Sequence, residues 1–370
     1  MGFTILHTEW SNGWGGQEIR ILEECRGMAR RGHRVSLCGC PEGQLRRQAE
    51  AAGLPFHPLA MAGPWDLWAL GRLARLLGRL DCQVVHTHSS VDSWLGGMAA
   101  RLTGTTCLRT RHLSVPVNTN PLNFVYKLPQ AVVTTGESIR RHLVEDYGLP
   151  RQWVESIPTG VDTGRYRPGP PDPELAAELG LAPGTPVVSI VAVLRSWKRH
   201  DLFCEMAREL LKTHPDTRFL IVGDGPGRAR VNGYLDAMGL RDAVIMTGHR
   251  EDVERLLTLS TVCVLCSDKA EGVPQAVLQE LAAARPVVAG DAGDVGQVVK
   301  DGETGFLVAA GELAPLVTAV ARLLDDAELR EDLGWRGRRL VEEHHSLEHM
   351  LDRTEALYER VLARHPGGRP

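Results

Sequence analysis

Glu271-Gly272-Val273-Pro274-Gln275-Ala276-Val277-Leu278-Gln279 is the stretch that decides how this chain is read. It follows the apolar run Val262 to Cys266, which reads as a buried strand, and it runs into a helix expected over Ala276–Ala284. A glycine and an early proline at a helix start leave backbone N–H groups uncommitted, and such groups grip the oxygens of a sugar or a phosphate. Glu271 is a carboxylate that can accept hydrogen bonds from sugar hydroxyls. The plain alternative is a capped surface helix with an acid near its positive end.

Outward from this stretch, short apolar runs alternate with longer amphipathic ones, the pattern of parallel strands joined by crossover helices. The first half reads as strands at Thr4–His7, Arg34–Cys38, Val84–Thr87, Cys107–Thr110 and Ala131–Thr134. Its main helices fall at Gln17–Arg31, Trp65–Leu80 and Ser93–Leu102. Four prolines in the six residues Pro168 to Pro173 then suit neither a helix interior nor a central strand. After them the alternation restarts, with strands at Val187–Val193, Arg218–Val222, Val244–Thr247, Thr261–Cys266, Pro286–Ala289 and Gly305–Val308. Helices are expected at Asp201–Lys212, Gly227–Met238, Val253–Leu257 and from Ala314 onward.

The chain of 370 residues is too long for one ordinary core, so two domains are expected. A composition of 43% hydrophobic and 24% charged residues is that of a folded protein. A net charge of −4 with no basic run gives no general pull toward nucleic acid. The start Phe3-Thr4-Ile5-Leu6-His7 reads as a strand rather than an export signal, and no apolar run reaches membrane-spanning length. A cytoplasmic location is the expectation. The eight cysteines are scattered, and Cys263-Val264-Leu265-Cys266 lies in a strand without a second pair, so reduced core thiols are expected rather than zinc. His344, His345 and His349 read as surface or interdomain residues, and no metal site is expected.

Taken with further segments, the opening stretch resembles glycosyltransferase family 4. Those segments are Gly223-Asp224-Gly225-Pro226, Thr247-Gly248-His249, the late turn Asp301 to Val308, and Pro158-Thr159-Gly160-Val161-Asp162. The resemblance implies an α/β GT-B fold, two Rossmann-like domains facing across a cleft, with a C-terminal helix crossing back to the N-terminal domain. It divides the chain into an acceptor-side domain over 1–164, a linker over 165–175 and a nucleotide-sugar-binding domain over 176–345. A crossover helix over 346–364 and a tail over 365–370 follow.

The family pairs two glutamates around the opening turn, one on the donor sugar and one on the nucleotide ribose. This chain has Glu271 at the first place and Gln279 at the second. Glu280 points roughly 100° away around the helix and cannot simply replace it. By resemblance, Gly225, Gly248, His249, Gly272, Val273, Pro274, Gln275 and Gln279 bind the donor. In the first half the glycine loop Gly15-Gly16 joins them.

His112 takes the place of a family histidine that faces the donor sugar. Arg195 and Lys198 are expected to meet the diphosphate, because preorganised cations favour a leaving group that gains charge as the glycosidic bond breaks. The family places its arginine where this chain has Val193, so the role moves to Arg195 on chemical grounds. Gln17, His88 and Arg109 are candidates on the acceptor side.

The implied activity is retaining transfer of a hexosyl-type sugar from a nucleoside diphosphate sugar to a glycan or lipid-linked acceptor of the lipopolysaccharide or cell-envelope kind. No cofactor is expected, and the sequence contains no Asp-x-Asp pair, which fits a metal-independent site. A sugar-nucleotide epimerase or hydrolase of the same architecture, or a non-enzymatic sugar-nucleotide binder, are the alternatives. The binder draws on Gln279, Val193, on Ala284 where the family commonly has glycine, and on Gln297. Finally, Trp65, Trp68, Arg72, Arg75 and Arg79 share one helical face, with Leu70, Leu73, Leu77 and Leu80 on another. Such a stripe suits peripheral contact with an anionic membrane; a solvated helix face is the plain reading.

Overall fold

The computed structural model describes residues 2–112, 124–269 and 272–364. Glu271 and the tail from His365 lie outside the described residues. The chain forms two units, one of residues 1–160 with 347–370 and one of residues 161–346.

The first unit is built on a seven-stranded parallel sheet. Its strands are β1 Thr4–Glu9, β2 Arg34–Gly39, β3 Phe56–Pro58, β4 Val84–Thr87, β5 Thr106–Arg111, β6 Ala131–Thr134 and β7 Val154–Ser156. They lie in the order β3-β2-β1-β4-β5-β6-β7. The six strands of the second unit are β8 Val187–Val191, β9 Arg218–Val222, β10 Val244–Gly248, β11 Val262–Leu265, β12 Val287–Gly290 and β13 Gly305–Val308. Their order is β10-β9-β8-β11-β12-β13. The order of the parallel strands reverses once in each sheet, between β1 and β4 in the first and between β8 and β11 in the second. Ligands of open α/β sheets bind beyond the carboxyl ends of the strands at such a point.

Alternation along β1 shows why the sheets are covered on both faces. Ile5 packs with Ile21, Cys25, Val84 and Tyr358 on one face, while Leu6 packs with Leu73, Leu77, Val85 and Leu95 on the other. Strands buried on both sides read as nearly continuous apolar runs, and that is why these were visible in the sequence. The short edge strands β3 and β7 were not expected. β3 lies in Pro55-Phe56-His57-Pro58, where prolines suit only an edge.

The helix Leu347–Arg364 belongs to the first unit and packs beside Gly16–Arg30. A Cβ at Gly27 would lie 2.3 Å from Leu351, so glycine is what admits this approach. Arg31 adds ion pairs to Glu348, Asp352 and Glu355 at 2.6, 2.7 and 2.9 Å. The stretch 165–175, expected as a linker, lies inside the second unit. Tyr166 is buried in its core, and Pro173 opens the helix Pro173–Glu178 behind the cap Asp172. Proline is tolerated in the first turn of a helix, where its missing N–H is not needed. The strand expected to reach Val193 ends at Val191, and Val193 is exposed.

Candidate active site

In the first unit the expected ligand edge carries a chain of imidazoles. His7 is on β1, His88 follows β4 and His112 follows β5. His7 Nδ1 lies 3.0 Å from His88 Nε2, and His88 Nδ1 lies 3.2 Å from His112 Nε2. Burial pushes the His7 imidazole down to about 3 and holds His88 and His112 well below the ordinary histidine range. Neutral imidazoles suit this arrangement, since three adjacent cations would repel one another.

Beneath the chain, His86 on β4 contacts the Tyr358 hydroxyl through Nδ1 and Thr110 Oγ1 through Nε2, each at 2.7 Å. Tyr358 donates to Glu24 Oε1 at 3.1 Å. Burial pushes Glu24 up, but its hydrogen bond with His86 and the positive groups around it prevail and hold it below the usual carboxylate range. Arg20 Nε is 3.8 Å from Glu24, while Arg20 Nη1 donates to the Ile157 carbonyl. The ligand atoms of His7, His86 and His88 lie within 4.8 Å of one another, a spacing that invites a metal reading. Of their nitrogens, His7 Nε2 has no hydrogen-bond partner among the described residues, while the others bond one another, His112, Tyr358 and Thr110.

A second cluster lies at the same edge. Asp92 accepts from Thr8 Oγ1, the His88 and Ser89 amides and the Ser89 hydroxyl. Glu9, at the end of β1, accepts from the Ser11 amide at 2.7 Å and from Gln17 Nε2 at 2.5 Å. Burial and then the neighbouring Asp92 raise Glu9 to about 8.

The expected acceptor-side residues therefore part company. His88 joins His112, Gln17 is held by Glu9, and Arg109 is buried with its guanidinium 4.1 Å from the Tyr126 ring centre. In the glycine loop, the Gly15 amide donates to the Glu18 carboxylate at 2.9 Å, while Gly16 begins the helix. His7, Glu9, Glu24, His86 and Asp92 were missed by sequence reasoning. Their signal is charged or imidazole residues inside segments that otherwise read as buried.

In the second unit the loop after β8 carries Arg195 and Lys198. It is clamped to the turn after β9: Leu194 N donates to Asp224 O at 3.0 Å, and Gly227 N to Leu194 O at 2.8 Å. Gly223 has a φ of 139°, and a Cβ there would lie 2.1 Å from the Ala192 carbonyl. Only glycine permits this contact. Gly248 then receives the Gly223 amide on its carbonyl at 2.9 Å, which brings the expected nucleotide-side turns together, with His249 exposed beside them.

An open depression of about 410 Å³ is lined by Arg195, Trp197, Pro226, Gly227 and Arg230 among others. The Arg195 guanidinium stacks 5.2 Å from the Trp197 ring centre. Lys198 ends a short turn, Ser196–Lys198. Gly272, Val273, Pro274 and Gln275 lead into the helix Gln275–Ala282, whose N-cap Pro274 offers no side-chain acceptor to the first-turn N–H groups. Gln279 is half-buried, whereas Glu280 is fully buried, and burial raises its carboxyl well above the ordinary range against the opposing charge of Lys198.

Comparison with known proteins agrees with this anatomy. Residues 14–165 match the family described as "Glycosyltransferase Family 4", and residues 172–340 match "Glycosyl transferases group 1". A D-inositol 3-phosphate glycosyltransferase of Nocardia farcinica is 34% identical over 55% of this chain. That match spans about half of the relative's own length, 47%. The UDP-Gal:alpha-D-GlcNAc-diphosphoundecaprenol alpha-1,3-galactosyltransferase of Escherichia coli is 28% identical over 71% of this chain and 72% of its own. Among solved structures, a glycosyltransferase from Rickettsia africae superposes with a TM-score of 0.88 at 19% identity, covering 98% of this chain and 99% of that one. With two Rossmann-like sheets, a returning C-terminal helix and both halves matched, the chain belongs to the glycosyltransferases of family 4 and group 1.

Proposed function

We propose that this chain transfers a sugar from a nucleoside diphosphate sugar to a glycan or lipid-linked acceptor in cell-envelope synthesis, with retention of configuration and without a metal ion. The observation that carries this reading is the loop after β8, fixed by backbone hydrogen bonds to the Gly223–Gly225 turn, with Arg195 and Lys198 on it. A rigid cationic loop and the N–H groups of a helix start would supply charge and donors to a departing diphosphate without reorganising as the bond breaks. Glu271, Gly272, Val273, Pro274, Gln275 and Gln279 would hold the sugar and ribose beside it, and Gly225, Gly248 and His249 the nucleotide. The missing Asp-x-Asp pair supports cations and helix N–H groups in place of a divalent ion. The E. coli relative, named for a UDP-galactose donor and a diphosphoundecaprenol-linked acceptor, supports the same classes of substrate.

A lipid-linked acceptor also accords with the helix Leu67–Arg79. Trp65, Leu67 and Trp68 are 65%, 73% and 83% exposed at its start, with Arg72, Arg75 and Arg79 exposed along it. No helix among the described residues is long and apolar enough to cross a membrane, so the attachment proposed is peripheral, at the cytoplasmic face. Incubation with a panel of nucleotide sugars tests the function. Release of nucleoside diphosphate that rises with a glycan or polyprenyl-diphosphate-linked acceptor is expected. Release without acceptor dependence would indicate a hydrolase, and binding without release a non-enzymatic protein.

A further inference from the structure

The segment after β1 has no ladder or helix of its own to hold it. Among the described residues, Ser11 to Trp14 make no backbone–backbone hydrogen bond, and side chains hold the segment instead. The Trp10 amide donates to Ser89 Oγ at 3.3 Å, and its indole Nε1 to the Met61 carbonyl at 2.9 Å. The Gly13 amide donates to Ser11 Oγ and the Gly15 amide to Glu18 Oε2, each at 2.9 Å. Glu9 joins the two ends. Its Oε1 accepts from the Ser11 amide at 2.7 Å, and its Oε2 from Gln17 Nε2 at 2.5 Å, in the first turn of the helix Gly16–Arg30. A loop fixed by a few side-chain acceptors loosens when one of them is removed, because no backbone ladder remains to hold its shape.

The place of the loop gives that shape a use. The strand order reverses between β1 and β4, so the loops leaving these two strands, 10–15 and 88–89, flank the crevice in which an open α/β sheet takes its ligand. Ser89 stands on the far wall, and its hydroxyl is bonded to Asp92, which also accepts from Thr8 on β1. Both walls are therefore tied into one polar network. Glu9 itself is 1% exposed, so a ligand in the crevice meets the loop and not the carboxyl.

We propose that Glu9 is a positioning residue for sugar transfer: by bridging the Ser11 amide and the Gln17 side chain it holds residues 10–15 in the shape that forms one wall of the crevice. This rests on the transferase reading of the chain. The bridge needs two hydrogen-bonding atoms and no charge, since burial and Asp92 keep the carboxyl protonated up to about 8. Glutamine supplies such atoms: its oxygen accepts from the Ser11 amide, and its N–H group donates to Gln17 once that amide turns over. Alanine supplies neither, and aspartate, one methylene shorter, falls short of spanning both.

The test follows hydrogen exchange of the full chain at neutral pH without substrate. In Glu9→Ala the peptide covering residues 10–16 is expected to exchange at least about tenfold faster, with β1 and the body of the helix Gly16–Arg30 unchanged. Glu9→Gln should exchange like the unaltered protein. Unchanged exchange in folded Glu9→Ala, or a Glu9→Gln variant as loose as Glu9→Ala, overturns the proposal. Should Glu9→Ala not fold, Glu9→Asp takes its place with the same two outcomes.

Turnover is then measured with UDP-glucose, UDP-galactose and UDP-N-acetylglucosamine as donors. Glu9→Ala is expected to lower kcat on the order of 10- to 100-fold, because a displaced wall misaligns the reactants, while donor Kd shifts by less than about threefold. Glu9→Gln should recover most of this loss. A kcat unchanged in Glu9→Ala despite faster exchange would make the bridge structural only and overturn the proposal. If the unaltered protein turns over no donor while exchange is as stated, the transferase reading or the donor is at fault and the bridge across the loop stands.

Discussion

The Tyr358 hydroxyl lies 2.7 Å from His86 Nδ1 and 3.1 Å from Glu24 Oε1, tying the last helix of the chain to the strand and helix that underlie the imidazole chain. All three side chains are fully buried. Tyr358→Phe keeps the ring and removes the hydroxyl, leaving Glu24 and His86 short of a partner. A loss of about 1–3 kcal/mol is expected, read as a lower urea midpoint. An unchanged midpoint would mean that water replaces the hydroxyl.

Glu9 provides a prediction in pH. Its carboxyl is raised by burial and by Asp92 to about 8, so the folded protein holds a proton that the unfolded chain has already lost above the ordinary glutamate range. The unfolded state then binds fewer protons, and stability contributed by Glu9 is complete below that range and lost as pH rises through about 8. The slope is at most about 1.4 kcal/mol per pH unit. Glu9→Gln should flatten the decline in unfolding free energy between pH 5 and 8. A parallel decline in both proteins would place the effect elsewhere.

Ala284 has a φ of 53°, in the left-handed region, just past the helix Gln275–Ala282. A Cβ there costs about 1–2 kcal/mol, whereas glycine gives back roughly half of this through its freer unfolded chain. Ala284→Gly is expected to raise stability by about 0.5–1 kcal/mol, seen as a higher Tm with donor affinity unchanged. A lower Tm would show that the methyl group packs usefully enough to outweigh the strain.

On the loop after β8, Lys198→Ala should lower kcat on the order of 10²–10³-fold with a much smaller change in donor Kd, because the charge it meets grows toward the transition state. Arg195→Ala should act in the same direction. Equal losses in binding and turnover would assign Lys198 a ground-state role. A silent Arg195→Ala would leave the depression beside Trp197 without a part in catalysis.

Anionic vesicles should bind the protein at low salt in co-sedimentation, and binding should weaken as salt rises. Replacing Arg72, Arg75 and Arg79 together by Gln should reduce it by roughly a hundredfold. Trp68→Ala should weaken it at every salt concentration, because the indole acts by partition rather than by charge. If the unaltered protein ignores such vesicles, the helix presents only a solvated face and a soluble acceptor is the better assignment.

The sequence by itself determined the alternation of strand and helix, the two-core plan and the family. Strands such as Val187–Val191 and Val262–Leu265 are buried on both faces, so solvent exclusion writes them as unbroken apolar runs. The glycine turns were also legible, since Gly223 meets a carbonyl where any Cβ would collide. Only the tertiary structure decided that 165–175 packs within the second unit, that Arg109 lies buried over the Tyr126 ring and that Gln17 is bound to Glu9. It alone assembled His7, His88 and His112, and set Glu24 and Tyr358, 334 residues apart, beneath them. The reason is physical: apolar periodicity records which side of an element faces the core, whereas a buried polar side chain takes its meaning from partners that folding brings from distant parts of the chain.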